Sequence, residues 1–265
     1  MRSTTLTLAA VLAAGFSISF VSSSAMARDY DEVRLGADVP YEPFMYREAD
    51  GELTGFEIEL GNAVCEHLDI KCTWVEQDWD GIIPGLMARK YDAIMSSMAI
   101  TDERAERVLF SEPYYTTPSA WITTREHDID IDDKSSLEDL TVGVQRATLQ
   151  DDYVTEMYGD TVEIRRYTGA NEVVNDLRSG RLDITFMDYP IAEATIDIDS
   201  EGSDFKRISD FIKKPEEIFG RGVGMAFRQR DEALAEQFNE GLEALKDDGT
   251  YDEIMNRYFD YDVSL

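Results

Sequence analysis

Histidine, cysteine and basic side chains are scarce in this chain of 265 residues, and each shortage excludes a class of function. The two histidines, His67 and His127, have no serine or cysteine nucleophile close to them in sequence, and the pattern Gly-x-Ser-x-Gly does not occur. The sequence therefore predicts neither a nucleophilic triad nor a histidine-based metal centre. We expect a protein that captures its ligand without converting it, with no cofactor and no metal ion.

Basic residues are far fewer than acidic residues. There are 25 basic side chains against 55 acidic ones, and the formal net charge is −30. Such a surface repels a phosphate backbone, so nucleic acid is excluded as a partner. We interpret the acidic residues as a solvated surface suited to salty surroundings, where dissolved ions screen the repulsion.

Long apolar runs are absent beyond the N-terminus. Residues 6–21 are apolar or small, Arg2 precedes them, and residues 25–27 read Ala-Met-Ala. This pattern predicts a secretory signal peptide over residues 1–27 and a mature protein in the periplasm, and the alternative is a retained N-terminal anchor. Outside the reducing cytoplasm, the closely spaced Cys65 and Cys72 should form a disulfide.

Strands and helices alternate along the mature chain. Residues 33–37, 73–75 and 91–97 read as strands, and the helices between them include one that Asp80 caps. The pattern then repeats with strands at 141–145, 162–167 and 184–187, and Ser97 falls opposite Asp188 when the two halves are aligned. Repeated βαβ units predict two similar α/β lobes with parallel sheets, whose strand ends face a shared cleft. The glycine-rich residues 219–225 read as a returning strand and hinge.

Residues 95–104 carry the features of an anion site. An apolar strand stops at Ser96 and Ser97, Thr101 is placed to cap the next helix, and Arg104 lies in its first turn. Hydroxyls, helix-start N–H groups and a guanidinium together can bind a carboxylate. The alternative for Arg104 is a surface pair with a neighbouring glutamate.

Asp188 and two aromatic residues are the other candidates. An acid directly after a buried strand is costly unless it is paired, so an ammonium partner suits Asp188, whereas the alternative is a helix N-cap. Tyr41 and Trp79 could form walls around an aliphatic stem and a cationic tip, although they could also be lids on the core. Asp38 could neutralise such a tip.

Four motifs together resemble the periplasmic amino-acid-binding proteins of ABC importers, above all the group that binds lysine, arginine, ornithine and histidine. They lie at 36–44, 55–60, 92–104 and 248–251. The resemblance implies a monomer of two lobes that closes on an amino acid and delivers it to a membrane permease. It places lobe one at 28–116 and 217–265, lobe two at 120–212, and the hinge at 117–119 and 213–216.

The same resemblance implies a role for each candidate residue. Arg104 would hold the α-carboxylate, with help from lobe-two N–H groups in the loop that contains Thr148 and Leu149. Ser97 and Asp188 would contact the α-ammonium. The other four residues would contact the side chain of the ligand. Tyr41 and Trp79 would stack on it, and Asp38 and Ser96 would contact its polar end. The group also shares a disulfide that matches Cys65 and Cys72.

Two positions depart from the family pattern. Ala99 stands where the family usually has a hydroxyl that helps to hold the ammonium, and Arg146 places a bulky cation near the cleft. Both are compatible with an opine whose second carboxylate meets Arg146. The expected ligand is therefore arginine, lysine, ornithine or histidine. The alternatives are glutamine, an opine, or an enzyme on the same scaffold that resembles cyclohexadienyl dehydratase.

Overall fold

A computed structural model describes residues 30–198, 200–261 and 263–264 of the chain. The predicted signal peptide, residues 1–27, lies outside the described residues. The fold is α/β, as expected, with two five-stranded sheets that each carry helices. None of the helices in these ranges combines the length and the apolar character that a membrane span requires.

The first sheet has the strand order β4-β1-β5-β12-β6. Strand β1 is parallel to β4 and β5, whereas β12 is antiparallel to β5 and β6. Its lobe is built from β1 (Glu32–Ala37), β2 (Tyr46–Arg47), β3 (Leu53–Thr54), α1 (Phe56–His67), β4 (Lys71–Glu76), α2 (Ile82–Met87), β5 (Ala93–Ile94), α3 (Asp102–Ala105), β6 (Leu109–Phe110), β12 (Ala226–Phe227), α8 (Glu232–Asp247) and α9 (Thr250–Tyr258).

The second sheet has the order β11-β7-β10-β8-β9. The strands β8, β9 and β10 run parallel, and β7 is antiparallel to β10 and β11. This lobe contains β7 (Ser119–Thr124), β8 (Thr141–Gln145), α4 (Leu149–Tyr158), β9 (Glu163–Tyr167), α5 (Ala170–Arg178), β10 (Ile184–Asp188), α6 (Tyr189–Ile196) and β11 (Phe205–Arg207). A short helix, α7 (Glu216–Phe219), follows it in the chain.

The central strands β1 and β10 are largely buried, as is typical of strands in sheets that helices cover. All five residues of β10 are buried, and so are Val33, Leu35 and Ala37 of β1. The polar end of each strand then reaches the cleft, which is why the strand ends carry Asp38 and Asp188. The strands of the βαβ units are parallel, as expected, but the sheets are mixed. Strand β12 in the first sheet and β7 in the second, which follow the crossings between the lobes, are antiparallel to their neighbours.

Local structure differs from expectation at two places before the cleft. The predicted strand at 91–97 is regular only over Ala93–Ile94, and Ser97 takes a left-handed φ of 51°. Asp80 is not a helix cap. It lies in a 3-10 turn over Trp79–Gly81 ahead of α2, and its carboxylate pairs with Arg146 of the other lobe at 2.7 Å. The predicted cap at Thr101 is confirmed, since its hydroxyl accepts a hydrogen bond from the backbone N–H of Arg104.

Two further features connect the elements. The disulfide between Cys65 and Cys72 joins α1 to β4, with the Cα atoms 6.0 Å apart. The aromatic ring of Phe219 packs against Tyr153 and Phe186 of lobe two, with 5.3 Å and 6.2 Å between the ring centroids. The residue boundaries of the lobes and hinge stay a prediction.

Candidate ligand-binding site

A single cavity between the two lobes brings the predicted site residues together. Residues from the ends of β1, β5, β8 and β10 line it, along with the start of α4 and the chain segments that cross between the lobes. All ten of the predicted residues are on its wall: Asp38, Tyr41, Trp79, Ser96, Ser97, Ala99, Arg104, Thr148, Leu149 and Asp188. Their roles toward a ligand stay a prediction.

Arg104 presents its guanidinium to the cavity from the first turn of α3. One N–H of the guanidinium donates to the backbone oxygen of Ala99 at 3.1 Å, and Cζ lies 5.2 Å from the ring centroid of Trp79. Burial lowers the pKa of Arg104 to about 10, so the side chain is still a cation at neutral pH. Its remaining N–H groups can therefore bind an anion in the cavity.

The start of helix α4 lies on the same cavity. Thr148 is its N-cap, with a hydroxyl that accepts from the N–H of Asp151 at 3.2 Å and donates to the backbone oxygen of Gln145 at 2.7 Å. Leu149 and Gln150, the first helical residues, also line the wall. A ten-residue helix carries partial positive charge at this end, which favours a carboxylate.

Asp188 collects hydrogen bonds from both lobes. Its carboxylate accepts from the hydroxyl of Tyr41 and the amide of Gln150, each at 2.7 Å, and from Ser119 at 3.2 Å and Thr117 at 3.3 Å. Burial raises its pKa, and the hydrogen bonds oppose that rise. Asp188 does occupy the N-cap position of α6, but its side chain makes no capping hydrogen bond. Three of the four donors bond Oδ1 and only Tyr41 bonds Oδ2, so Oδ2 keeps acceptor capacity for an ammonium group.

Ser97 has a hydroxyl oxygen that is buried in the cavity wall and has no hydrogen-bond partner among the described residues. Its backbone N–H donates to Glu57 at 3.2 Å, beneath the cavity. Glu57 is fully buried and also accepts from the hydroxyls of Tyr114 at 2.9 Å and Tyr115 at 2.6 Å. Burial raises the pKa of Glu57 to about 7. This network holds Ser97 in its left-handed conformation, with the hydroxyl free to bond a ligand.

Asp38 lies just past β1 and lines the same cavity. Its backbone N–H donates to the hydroxyl of Ser96 at 2.9 Å, and its carboxylate accepts from the Gln145 amide of the other lobe at 2.7 Å. Only 8% of Asp38 is exposed. Burial raises its pKa to about 7, and the charges of Asp78 and Asp80 add to the rise, while Gln145 lowers it.

Tyr41 and Trp79 form walls and also bridge the lobes. The indole N–H of Trp79 donates to the backbone oxygen of Ala147 at 2.8 Å, and the Tyr41 hydroxyl reaches Asp188. Neither ring is a simple lid on the core, because each side chain has its polar atom bonded across the cleft. Together with the pair between Asp38 and Gln145, these contacts hold the lobes in a closed arrangement.

Ala99 and Arg146, the two positions that depart from the family pattern, differ in whether they line the cavity. Ala99 lines the cavity with a methyl group, while its backbone oxygen is occupied by Arg104. Arg146 does not line the cavity. Its guanidinium pairs with Asp80 and donates to the hydroxyl of Thr168 at 3.0 Å. The geometry therefore gives no support to the idea that Arg146 meets a second carboxylate of an opine.

Several residues of the cavity wall escaped sequence reasoning. Gln145 and Gln150 could have been found, since one ends a strand and the other lies in the first turn of the next helix. The others lie in the chain segments that cross between the lobes or at the ends of the short elements beside them, with Ser119 starting β7 and Phe219 ending α7, and no periodicity marks them. The complete set is Thr116, Thr117, Ser119, Gln145, Gln150, Phe219, Gly222 and Val223. Over the described part of the chain, no group of three or more His, Cys, Asp or Glu side chains is placed to hold a metal ion.

Comparison of the sequence with known proteins identifies the family to which it is similar. The model of the bacterial extracellular solute-binding proteins, family 3, matches residues 33–261. The L-arginine-binding protein of Pseudomonas aeruginosa is 37% identical over 95% of this chain and 96% of its own length. The lysine/arginine/ornithine-binding periplasmic protein of Escherichia coli K12 is 36% identical over 97% of each chain.

Solved structures show the same fold. An ancestral arginine-binding protein bound to arginine superposes with a TM-score of 0.78 and 31% identity, over 86% of this chain and 98% of its own. An ancestral amino-acid-binding protein that is a precursor of cyclohexadienyl dehydratase superposes with a TM-score of 0.75 and 30% identity, over 86% of this chain and 95% of its own. The named relatives are binding proteins, and the similarity to the dehydratase precursor is a similarity of fold.

Proposed function

This chain belongs to family 3 of the bacterial extracellular solute-binding proteins, and we propose that it captures a cationic amino acid in the periplasm for the membrane permease of an ABC importer. The candidate ligands are arginine, lysine, ornithine and histidine. The observation that carries the proposal is the arrangement of one cation and two acids around a single cavity, with Arg104 and Asp38 on lobe one and Asp188 on lobe two.

Arg104 and Asp188 match the two charges of a free amino acid. The guanidinium and the start of α4 would receive the α-carboxylate. Asp188, with the unpartnered hydroxyl of Ser97 beside it on the cavity wall, would receive the α-ammonium. Because each charge of the ligand would be contacted from both lobes, a zwitterion stabilises the closed arrangement more than the open one.

The far end of the cavity sets the expected class of side chain. Asp38 is buried there and would pair with a terminal guanidinium, ammonium or imidazolium group, with Ser96 beside it. Trp79 and Tyr41 would cover the aliphatic stem between the two ends. A buried acid is costly without a partner, so a cationic ligand fits this end better than an acidic one.

A calorimetric screen of the mature chain tests the proposal. We expect binding of at least one of arginine, lysine, ornithine and histidine, and little binding of glutamate or aspartate. Each titration is paired with a thermal-shift measurement, because a ligand that binds only the folded state raises Tm. Failure of all four cationic amino acids to bind would overturn the proposed function.

An enzyme on this scaffold is the second candidate, and two observations favour testing it. Asp38 is a cleft acid whose pKa of about 7 suits proton transfer, and a solved structure of the same fold is a precursor of cyclohexadienyl dehydratase. Incubation with arogenate or prephenate, followed by detection of phenylalanine or phenylpyruvate, separates the two. We expect no product.

A further inference from the structure

Gln145 lines the cavity next to Asp38, in an orientation that its hydrogen bonds fix. Its side-chain nitrogen donates to the carboxylate of Asp38 at 2.7 Å and to the backbone oxygen of Thr168 at 3.0 Å. A primary amide has two N–H donors, so this pair of bonds uses both. The side-chain oxygen is left as an acceptor, and only 7% of Gln145 is exposed.

The contact with Gln145 changes what Asp38 requires from a ligand. The Asp38 carboxylate receives a hydrogen bond of 2.7 Å from the Gln145 amide across the cleft. This donor is uncharged and is present before any ligand arrives. A buried carboxylate with such a donor needs a cation less than a carboxylate without one.

We propose that Gln145 is a specificity-determining residue that widens the ligand range of the cleft to amino acids with neutral ureido or amide side chains. This inference rests on the proposed function, because it concerns the side-chain end of the same site. Without the amide of Gln145, Asp38 would depend on the cation of the ligand, and the cleft would discriminate strongly for charge.

A ureido group and a guanidinium group make different bonds at this end of the cavity. A guanidinium carries N–H donors only, and it would donate to Asp38 and to the free side-chain oxygen of Gln145. A ureido group replaces one of those nitrogens by a carbonyl oxygen and keeps N–H donors for the same two acceptors. Gln145 already donates to one oxygen of Asp38, and an N–H of the ureido group would donate to the other. Both oxygens of the carboxylate would then have a donor although the ligand is neutral.

Arg146 provides a matched control because it is the next residue and also bridges the lobes. Its guanidinium bonds Asp80 at 2.7 Å, outside the cavity wall, and both side chains are about two-fifths exposed. Substitution of Arg146 by methionine removes a cross-cleft contact that does not involve Asp38. The charge of Asp80, which loses its partner in this variant, is partly exposed, so the titrations contain about 0.15 M salt to screen it. A change in lobe closure alone alters the affinities for all ligands together and leaves their ratio unchanged.

The experiment compares arginine with citrulline, which differs from it in having the ureido group. Dissociation constants are measured by calorimetry at pH 8 for the wild type, Gln145→Met and Arg146→Met. We expect citrulline to bind the wild type, and we expect the ratio of the citrulline to the arginine dissociation constant to rise at least tenfold in Gln145→Met. In Arg146→Met, the ratio should stay within twofold of the wild-type value.

Each other outcome has a defined meaning. An unchanged ratio in Gln145→Met, or no binding of citrulline to the wild type, overturns the role assigned to Gln145 while arginine binding still supports the proposed function. Absence of arginine binding to the wild type also overturns the role assigned to Gln145, whereas the proposed function is overturned only if lysine, ornithine and histidine fail to bind as well. If Gln145→Met does not fold, as judged by its circular dichroism and Tm, Gln145→Leu is measured in its place under the same criterion.

Discussion

The hydroxyl of Tyr41 donates a hydrogen bond of 2.7 Å to the carboxylate of Asp188, and the two residues are 147 positions apart in the sequence. Tyr41 follows β1 in lobe one, and Asp188 ends β10 in lobe two. The bond can exist only when the cleft is closed, because it joins the two lobes directly. Asp188 is thereby oriented by lobe one as well as by Thr117, Ser119 and Gln150.

Removal of that hydroxyl should weaken ligand capture. In Tyr41→Phe the aromatic wall stays, while Asp188 loses one of its four donors and the closed state loses a contact. We expect arginine affinity to fall by about 1 kcal/mol, or roughly fivefold, as measured by calorimetry.

The chain offers a control of the same chemistry for this variant. The hydroxyl of Tyr167 donates to Asp176 at 2.7 Å within lobe two. Tyr167→Phe should leave arginine affinity unchanged. Equal losses in the two variants would show that the effect belongs to general stability, and the proposed contribution of Tyr41 to closure would be wrong.

Arg104→Ala should abolish most of the binding energy at the carboxylate end. The guanidinium is partly buried against Trp79, and its loss leaves the ligand carboxylate without its charged partner. We expect a loss of about 2–5 kcal/mol in binding free energy, as for truncation of one partner of a buried charge pair. Arg107→Ala, an exposed position just past α3, is the control and should bind normally. An unchanged dissociation constant in Arg104→Ala would contradict the site assignment.

Arginine affinity should rise with pH around neutrality. The pKa of Asp38 is raised to about 7 in the ligand-free protein, and a guanidinium binds the ionised form. At pH 6 most protein molecules carry a proton on Asp38 that must be released when arginine binds, whereas at pH 8 few do. The linkage predicts about a tenfold gain in affinity from pH 6 to pH 8.

Two measurements check this linkage. Calorimetry in buffers of different ionisation enthalpy should detect proton release near pH 7, and Asp38→Asn should remove both the release and the pH dependence. Asp38→Asn should also shift the preference from arginine toward glutamine. A flat affinity profile for the wild type between pH 6 and pH 8 would exclude Asp38 from the side-chain pocket.

Glu57 should make the folded state less stable as pH rises. Its pKa is about 7 in the folded protein against about 4.3 in an unfolded chain, so between these values the folded state holds a proton that the unfolded state releases. The contribution of Glu57 to the free energy of unfolding is thus present below pH 4 and is lost as pH rises through 7.

Glu57→Gln should flatten this dependence. We expect the slope of unfolding free energy between pH 5 and pH 7 to become shallower by up to about 1.4 kcal/mol per pH unit, measured by chemical denaturation. Glu66→Gln is the control, because it removes an exposed acid from the same helix. If both variants titrate like the wild type, Glu57 is ionised throughout this range.

Much of the site was accessible from sequence because its residues sit at the ends of regular elements. Apolar runs that stop at Ser96 and at Asp188 mark the two strand ends, and Thr101 marks the helix start next to Arg104. The strands that enter antiparallel were not predicted, since their direction depends on how the chain crosses between lobes. The pairing of Asp80 with Arg146 was missed for the same reason, as its partners are 66 positions apart.

The sequence by itself determined the two-lobed α/β plan and the charged residues that face the cleft, because periodicity, caps and buried strands are local properties. Only the tertiary structure decided how those charges are paired. Gln145 meets Asp38, Tyr41 meets Asp188, and Glu57 lies beneath Ser97 because packing of two lobes brings together groups that are tens of residues apart. Local patterns carry no information about such distances, and these contacts, together with burial, set the pKa of Asp38.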